Sequence, residues 1–304
     1  MISVFITTMK KRLLYLCLLS FLAAGVAWSQ QAPQAPSPMV DNTRPHPRIS
    51  QTEEPGRRVD LKSLKGSRLF ISPKVNVNKP VPLIVHFHGV PWLIESHIGK
   101  HFANAALITV NLGSGSSVYG RPFGEPEAFQ SLIDEAAKEL GLKRGWSSIT
   151  LSGFSAGYGA VRAILRQEKN FALINNVLLL DGMHASYSPE GKVLADGGTV
   201  NAADLDSFVK FASEAVAGRK TFVFSHSEIF PGVYASTTEC AGFVLGNLGL
   251  KNMPSLKQGP IGMQQLSVAN AGRFHVFGYA GNSAPDHVDH LQAMPYWLKL
   301  FHLK

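Results

Sequence analysis

The pentapeptide Gly153-Phe154-Ser155-Ala156-Gly157 carries the clearest chemical signal in this chain. It follows the apolar residues 149–151 and precedes a helix-like segment over residues 158–166. A G-x-S-x-G pattern between a strand and a helix is typical of a nucleophile elbow, a tight turn that only small neighbours allow and that raises the serine hydroxyl above the sheet. We therefore predict that Ser155 is a nucleophile.

A serine hydroxyl is a weak nucleophile at neutral pH, so it needs a histidine as base and a carboxylate that orients the histidine. In an open parallel sheet the ligand lies at the carboxyl ends of the strands, which directs attention to polar residues just after predicted strands. These residues are His86, His88, Asp181, His184, His226, Glu228, Asp286, His287 and His290.

Four features in chain order give the sequence a resemblance to the α/β-hydrolase family from about residue 59 onward. They are His88-Gly89 after the third strand, the elbow after the fifth, Asp181 after the sixth, and His287 before the last helix. The order nucleophile, acid, base agrees with that of the family. The resemblance implies an α/β fold with a mostly parallel central sheet flanked by helices, and it implies no cofactor.

The same resemblance implies the roles of the site residues. Ser155 would attack, His287 would act as base and Asp181 would orient it. The backbone N–H groups of Ala156 and Val90 would bind the oxyanion, because the family commonly uses the residue after the nucleophile and the residue after His-Gly.

Alternatives exist for the base and the acid. His290 lies three residues after His287, on the same face of a helix if the helix has begun. Glu228 follows the next strand, where the family more often places its acid, and Asp286 is a third candidate. We favour Asp181 because it directly abuts its strand.

The histidine pairs at 86/88 and 287/290 also have spacings that metal ligands use. No further Asp-His cluster follows His88, so we predict no metal and expect His86 to buttress the oxyanion loop. His184 and His226 either line the pocket or are satisfied strand-end histidines. Three aromatic residues, Trp92, Tyr119 and Phe123, either form an exposed substrate platform or pack in the core.

Apolar runs alternate with helix-like segments along the chain. Several runs, such as residues 177–180, are continuously apolar, which predicts strands covered on both faces. The predicted strands are 68–72, 83–87, 106–111, 148–151, 176–180, 221–225 and 273–279, and the predicted helices are 125–140, 156–167, 202–217, 238–248 and 285–300. Segments 113–124 and 251–262 are expected to be pocket-shaping loops.

The N-terminus predicts export. A basic segment, Lys10-Lys11-Arg12, precedes an apolar run and a small-residue cleavage site, so residues 1–29 have the pattern of a signal peptide. Residues 30–58 are rich in Pro, Gln and Ser, which is typical of a flexible linker. Residues 59–304 are expected to form the hydrolase domain, with no stable membrane span in the mature protein.

The charge and cysteine content limit the kinds of partner and cross-link that we expect. The formal net charge is +8, but the cations are scattered rather than clustered with aromatic residues, which argues against nucleic-acid binding. Of the two cysteines, Cys17 lies in the predicted signal, so Cys240 has no partner for a disulfide. The sequence carries no signal for an oligomeric state.

We predict a secreted or periplasmic serine hydrolase that cleaves an ester, less readily an amide, through an acyl-enzyme. Export and a tether favour a polymeric substrate such as an acylated polysaccharide or an envelope polymer, with small-molecule esters as the other class. The alternatives are a non-catalytic carbohydrate- or envelope-binding domain on a hydrolase scaffold and a metal-dependent hydrolase.

Overall fold

The computed structural model describes residues 48, 50–301 and 303. The predicted signal peptide and most of the predicted linker lie outside these residues. The first strand begins at Arg57, two residues before the predicted start of the domain. None of the described helices is long and apolar enough to cross a membrane.

Ten strands of the described chain form one sheet and two more form a short separate ribbon. The strands are β1 (Arg57–Asp60), β2 (Ser67–Ile71), β3 (Val81–Phe87), β4 (Ala106–Val110), β5 (Trp146–Phe154), β6 (Asn176–Leu180), β7 (Tyr187–Ser188), β8 (Thr199–Val200), β9 (Thr221–His226), β10 (Met253–Gln258), β11 (Gln264–Ala271) and β12 (Phe274–Tyr279).

The large sheet has the order β1-β2-β4-β3-β5-β6-β9-β12-β11-β10, and β7 pairs with β8. Strands β4, β3, β5, β6, β9 and β12 are mutually parallel. The two strands at each edge pair in antiparallel fashion. The carboxyl ends of the six parallel strands therefore meet at one edge, and the predicted site residues follow these ends.

Helices connect and cover the strands. They are α1 (Pro91–His101), α2 (Ser116–Gly120), α3 (Ala128–Leu140), α4 (Tyr158–Leu165), α5 (Glu168–Leu173), α6 (Asp206–Val216), α7 (Thr237–Asn247), α8 (Ala284–Gln292) and α9 (Met294–Leu298). Short 3₁₀ turns at Arg121–Gly124, Ser155–Gly157 and Ala202–Asp204 extend α2 or precede α4 and α6.

Side chains of the central strands are buried on both faces. Leu83, Val85 and Leu179 belong to one apolar cluster, and Ile84 and Leu178 belong to the other. Successive residues of a strand point to opposite faces, so a sheet covered on both faces needs continuously apolar strands. The predicted mostly parallel sheet flanked by helices is confirmed.

The predicted strands and helices are present with small shifts of their ends, but several elements differ. The expected helix over 285–300 is two helices that separate at Ala293, because Pro295 lacks the N–H group that would continue the hydrogen bonding of the first helix. The expected loop 113–124 contains α2 and a 3₁₀ turn. The expected loop 251–262 contains the edge strand β10, where Pro254 is tolerated because one side of the strand needs no partner.

The elbow depends on two close backbone approaches. A Cβ on Gly157 would lie 2.1 Å from the carbonyl oxygen of Phe87, so only glycine lets the turn pack against the end of β3. A Cβ on Gly182 would lie 2.2 Å from the carbonyl oxygen of Ser155. The segment after Asp181 is thereby held directly against the backbone of Ser155.

We expect Gly157→Ala to lower the free energy of unfolding by about 1–3 kcal/mol, because the methyl group must displace the backbone of β3. Gly242→Ala is the matched control. Gly242 is an exposed residue of α7 with nothing within 4 Å of the added Cβ, so the change should stabilise the helix by up to about 1 kcal/mol. Denaturant unfolding of both variants tests this. Equal stabilities would contradict the tight packing of the elbow.

Candidate active site

Ser155 lies where β5 ends and the 3₁₀ turn Ser155–Gly157 begins. Its φ is 47°, in the left-handed region that non-glycine residues rarely adopt. Such strain persists only where the surroundings enforce it, and it is concentrated at functional sites. The structure therefore has the strand, tight turn and helix of a nucleophile elbow, with Ser155 half-buried at its centre.

Asp181 follows β6 and is buried, with 2% of its surface exposed. Its Oδ1 accepts hydrogen bonds from the Ser227 N–H at 2.8 Å and from the Thr237 hydroxyl at 3.0 Å. Its Oδ2 accepts from the Ser227 hydroxyl at 2.7 Å and from His287 Nδ1 at 2.6 Å. Four donors thus satisfy a carboxylate that has almost no access to water.

Burial by itself raises the pKa of Asp181, but the positive charge that His290 and His287 can carry and the hydrogen bonds from His287 and the Ser227 N–H outweigh it. The net effect holds the pKa of Asp181 well below its usual value. Asp181 is therefore ionised at neutral pH, as the partner of a histidine base must be.

His287 lies in the first turn of α8, four residues after the capping residue Ser283, and not in the loop where we expected it. Because the carboxylate of Asp181 only accepts, Nδ1 of His287 carries the proton and Nε2 has a free lone pair. Nε2 is buried and has no hydrogen-bond partner among the described residues. An oriented histidine with an unused basic nitrogen is the arrangement a general base requires.

Phe154 connects this pair to the elbow. Its ring centroid lies 4.5 Å from that of His287 and 5.9 Å from that of His88. Gly182, next to Asp181, packs on the backbone of Ser155. The structure therefore brings the nucleophile, base and acid candidates to one place.

The loop after β3 is held by side chains on both sides. His86 Nε2 donates to the carbonyl of His88 at 2.7 Å, and its Nδ1 accepts from the Ser152 hydroxyl at 2.9 Å. Asn111 accepts from the Gly89 N–H at 3.2 Å and donates to the Gly89 carbonyl at 2.6 Å. His86 contacts the loop as we expected.

These contacts distinguish the backbone N–H groups of the loop that are already hydrogen-bonded from those that are free to bind an oxyanion. The N–H of Gly89 is already used by Asn111, whereas the N–H of Val90 donates to no acceptor among the described loop, turn and cap hydrogen bonds. Asn111 was not among the predicted site residues. It directly follows the carboxyl end of β4, so the strand-end rule that selected the other candidates also points to it.

The hydrogen bond to Tyr119 determines the tautomer of His88. The Tyr119 hydroxyl donates to the Gly113 carbonyl at 3.0 Å and accepts from His88 Nδ1 at 2.8 Å, which leaves Nε2 of His88 unprotonated. Burial, followed by proximity to His287, lowers the pKa of His88 to about 4. His88 is therefore a neutral acceptor beside the elbow.

For two of the three aromatic candidates, the structure shows packing in the core rather than an exposed substrate platform. Tyr119 and Phe123 are buried, with 0% and 1% of their surface exposed, because α2 and the following turn pack them onto the sheet. Trp92 is half-buried and packs against the apolar cluster on the opposite face.

The alternative base and the alternative acids make no hydrogen bond to His287 or Asp181. His290 is buried, its Nδ1 is 2.9 Å from the Ser225 hydroxyl, and its ring stacks on Trp297 at 5.9 Å. Glu228 is exposed, and its backbone N–H bonds the Gly281 carbonyl. Asp286 caps α8 by accepting from Ser283.

The remaining candidates bond to their own surroundings. His184 Nδ1 donates to the Ala235 carbonyl at 2.8 Å, and the buried His226 Nδ1 lies 3.1 Å from the Thr238 hydroxyl. Within residues 50–301 no group of three or more His, Cys, Asp and Glu side chains is arranged to hold a metal ion. Cys240 is buried and free.

No protein-family model matches this chain, and no curated protein matches it. Among solved structures, it is similar to a thermostable esterase at 14% identity and a TM-score of 0.45, covering 81% of this chain but 62% of that one. It is also similar to the acetyl xylan esterase from Aspergillus awamori, at 13% identity and a TM-score of 0.45, covering 77% of this chain and 94% of that one. A third is Thermogutta terrifontis esterase 2 phosphoramylated by tabun, at 13% identity and a TM-score of 0.46, covering 83% and 96%.

The strand order and the crossovers are decisive for the fold. Six parallel strands, an elbow between β5 and α4, an acid after β6 and a histidine after β12 occur in one sheet in the expected chain order. The described chain has the α/β-hydrolase fold. Within this fold the Ser155 elbow and the His287–Asp181 pair occupy the carboxyl edge of the sheet.

The buried His290 predicts a loss of stability in acid. Burial is the main cause that lowers the pKa of His290 to about 4, below the usual 6.5 of an unfolded chain. The unfolded state therefore binds a proton between about pH 6.5 and pH 4 that the folded state does not, so this contribution is full above pH 6.5 and is lost as the pH falls through that window.

We expect the stability of His290→Gln to fall less steeply than that of the wild type between pH 6.5 and pH 4, by up to about 1.4 kcal/mol per pH unit. Urea unfolding at half-unit steps measures both slopes, with pH 8 as the reference at which both side chains are neutral. Parallel curves for the two proteins would contradict the buried neutral state of His290.

Proposed function

We propose that this protein is a serine hydrolase that cleaves carboxylic esters, and less readily amides, through an acyl-enzyme. The observation that carries the proposal is the hydrogen bond of 2.6 Å between His287 Nδ1 and the buried Asp181 carboxylate, with an unpartnered His287 Nε2 beside the elbow. A buried carboxylate is costly unless it is paired, so this arrangement is more consistent with catalysis than with a non-catalytic binding surface.

In the first step the Ser155 oxygen attacks the carbonyl carbon and His287 Nε2 takes its proton. The carbonyl π electrons move to oxygen, and the N–H groups of Ala156 and Val90 bind the resulting oxyanion. When the intermediate collapses, the ester C–O bond breaks and the alkoxide leaves with the proton from His287. Asp181 stabilises the imidazolium between these two transfers.

Water completes the cycle by the same route. His287 Nε2 accepts a proton from water as the water oxygen attacks the acyl carbon. When this second intermediate collapses, His287 gives that proton to the Ser155 oxygen and the carboxylic acid departs. Each step of this cycle uses only groups of the chain, the ester and water, so the proposed mechanism calls for no cofactor.

The proposal includes the location and the substrate class. Residues 1–29 have a signal-peptide pattern and residues 30–58 have linker composition, which together favour a secreted or periplasmic hydrolase domain from about residue 59. An exported domain on a tether suits an acylated polysaccharide or envelope polymer.

We expect Ser155→Ala to abolish labelling by a fluorophosphonate probe and to lower kcat for a short-chain aryl ester by at least about 10³-fold. A chelator should leave the wild-type rate unchanged. Unlabelled wild-type protein with chelator-sensitive activity would contradict the proposal and support a metal-dependent hydrolase.

Paired variants identify the acid and the base. Asp181→Asn keeps the shape but removes the charge that holds His287, and we expect a loss in kcat of about 10³- to 10⁴-fold. Glu228→Gln is the matched control and should retain wild-type kcat, because Glu228 is exposed and does not contact His287.

His287→Ala should be as inactive as Ser155→Ala, whereas His290→Gln should retain kcat where it is folded. The opposite result for either pair would reassign that role.

A further inference from the structure

A cleft away from the candidate active site lies between α2 and α4. Its volume is about 420 Å³, within the range that small ligands occupy. The two walls touch at Gly159, where a Cβ would lie 2.0 Å from the carbonyl oxygen of Ser116. This cleft is separate from the pair His287–Asp181, because its lining consists of residues 116–124 and 159–167.

Three arginines line the cleft, and one carboxylate, that of Asp204, pairs with two of them. Arg162 lies 3.3 Å from Asp204 and Arg166 lies 3.9 Å from the same carboxylate. Asp204 also accepts two hydrogen bonds from Ser186, at 2.9 Å from the N–H and 2.7 Å from the hydroxyl. Arg121 has no carboxylate partner among the described residues, and its Nε is 3.4 Å from the Ser117 carbonyl.

Arg162 and Arg166 influence each other electrostatically. Burial, and after it the like charge of Arg162, lower the pKa of Arg166, and Asp204 and Asp206 offset this only in part. Arg162 is held in place over the ring of Tyr158 at 5.3 Å. Arg166 donates to the Ala203 carbonyl at 2.6 Å, so the guanidinium groups of Arg162 and Arg166 are pre-positioned rather than freely moving.

A hydroxyl donor adds to the guanidinium groups. The Ser116 hydroxyl accepts from the Tyr158 hydroxyl at 3.1 Å, so its own proton remains available for a ligand. Guanidinium and hydroxyl donors are suited to the oxygens of phosphate and carboxylate groups.

We propose that the cleft between α2 and α4 binds a multivalent oxyanion, through Arg121, Arg162 and Arg166 with the Ser116 hydroxyl as an additional donor. The shared chemistry is that of phosphate esters and of polycarboxylates. This binding does not depend on the proposed hydrolysis, because no catalytic residue lines the cleft.

The test is calorimetric titration of the full chain with sodium pyrophosphate and, separately, with sodium citrate at low ionic strength. Binding of pyrophosphate identifies a phosphate ligand and binding of citrate a carboxylate ligand, and either result supports the site. Failure of both anions to bind overturns it. The same titration of Ser155→Ala should give an unchanged Kd, so that loss of the proposed hydrolysis leaves the result intact.

Arg121→Gln is the informative variant, because Arg121 is exposed and pairs with no described carboxylate, so its loss leaves the fold intact. We expect it to weaken the Kd by at least about tenfold. Arg144→Gln is the matched control, since Arg144 is exposed and lies outside the cleft lining, and should change the Kd by less than about twofold. Equal weakening by both variants, or by neither, would show attraction to net charge or binding elsewhere, and would overturn the proposal.

Discussion

The buried carboxylate of Asp181 is the constraint on which the rest of the site depends. A charge with 2% exposure is tolerated only where donors replace water, and here they come from Ser227 after β9, Thr237 in α7 and His287 in α8. Each donor belongs to a different element. One carboxylate therefore fixes the positions of two helices relative to the sheet, and displacement of any of these elements would leave a buried charge undersolvated.

Ser155 and Asp181, the proposed nucleophile and acid, are linked through backbone contacts. Gly182 follows Asp181 directly and contacts the Ser155 backbone, while Gly157 contacts the end of β3. Asp181 and Ser155 both have positive φ, at 43° and 47°. Two strained residues on adjacent strand ends thus support each other, because either turn could relax only by separating the neighbouring backbones.

Much of the fold and of the candidate site could be predicted from the sequence. The features that were missed leave no clear pattern of apolar residues in their own segment. Continuously apolar runs predicted β6 and its neighbours because burial on both faces leaves an unambiguous pattern. The edge strand β10 escaped prediction because Pro254 and polar residues suit a strand that is exposed along most of its length. For Tyr119 the sequence left an exposed position and core packing open. Its hydroxyl hydrogen-bonds the Leu112 N–H, the Gly113 carbonyl and His88, and the contact with His88, 31 residues away, exists only in the tertiary structure.

The site contains several imidazoles, and their hydrogen bonds distinguish them. His86 donates from Nε2 to a carbonyl, and burial lowers its pKa to about 3. His88 donates from Nδ1 to Tyr119, and its pKa is about 4. Neither has a carboxylate to stabilise an added proton, so both remain neutral. Among the described histidines, His287 alone hydrogen-bonds a carboxylate, and its other nitrogen is unused. These contacts are why we propose His287 for proton transfer, whereas His86 holds the loop that carries the predicted oxyanion donor.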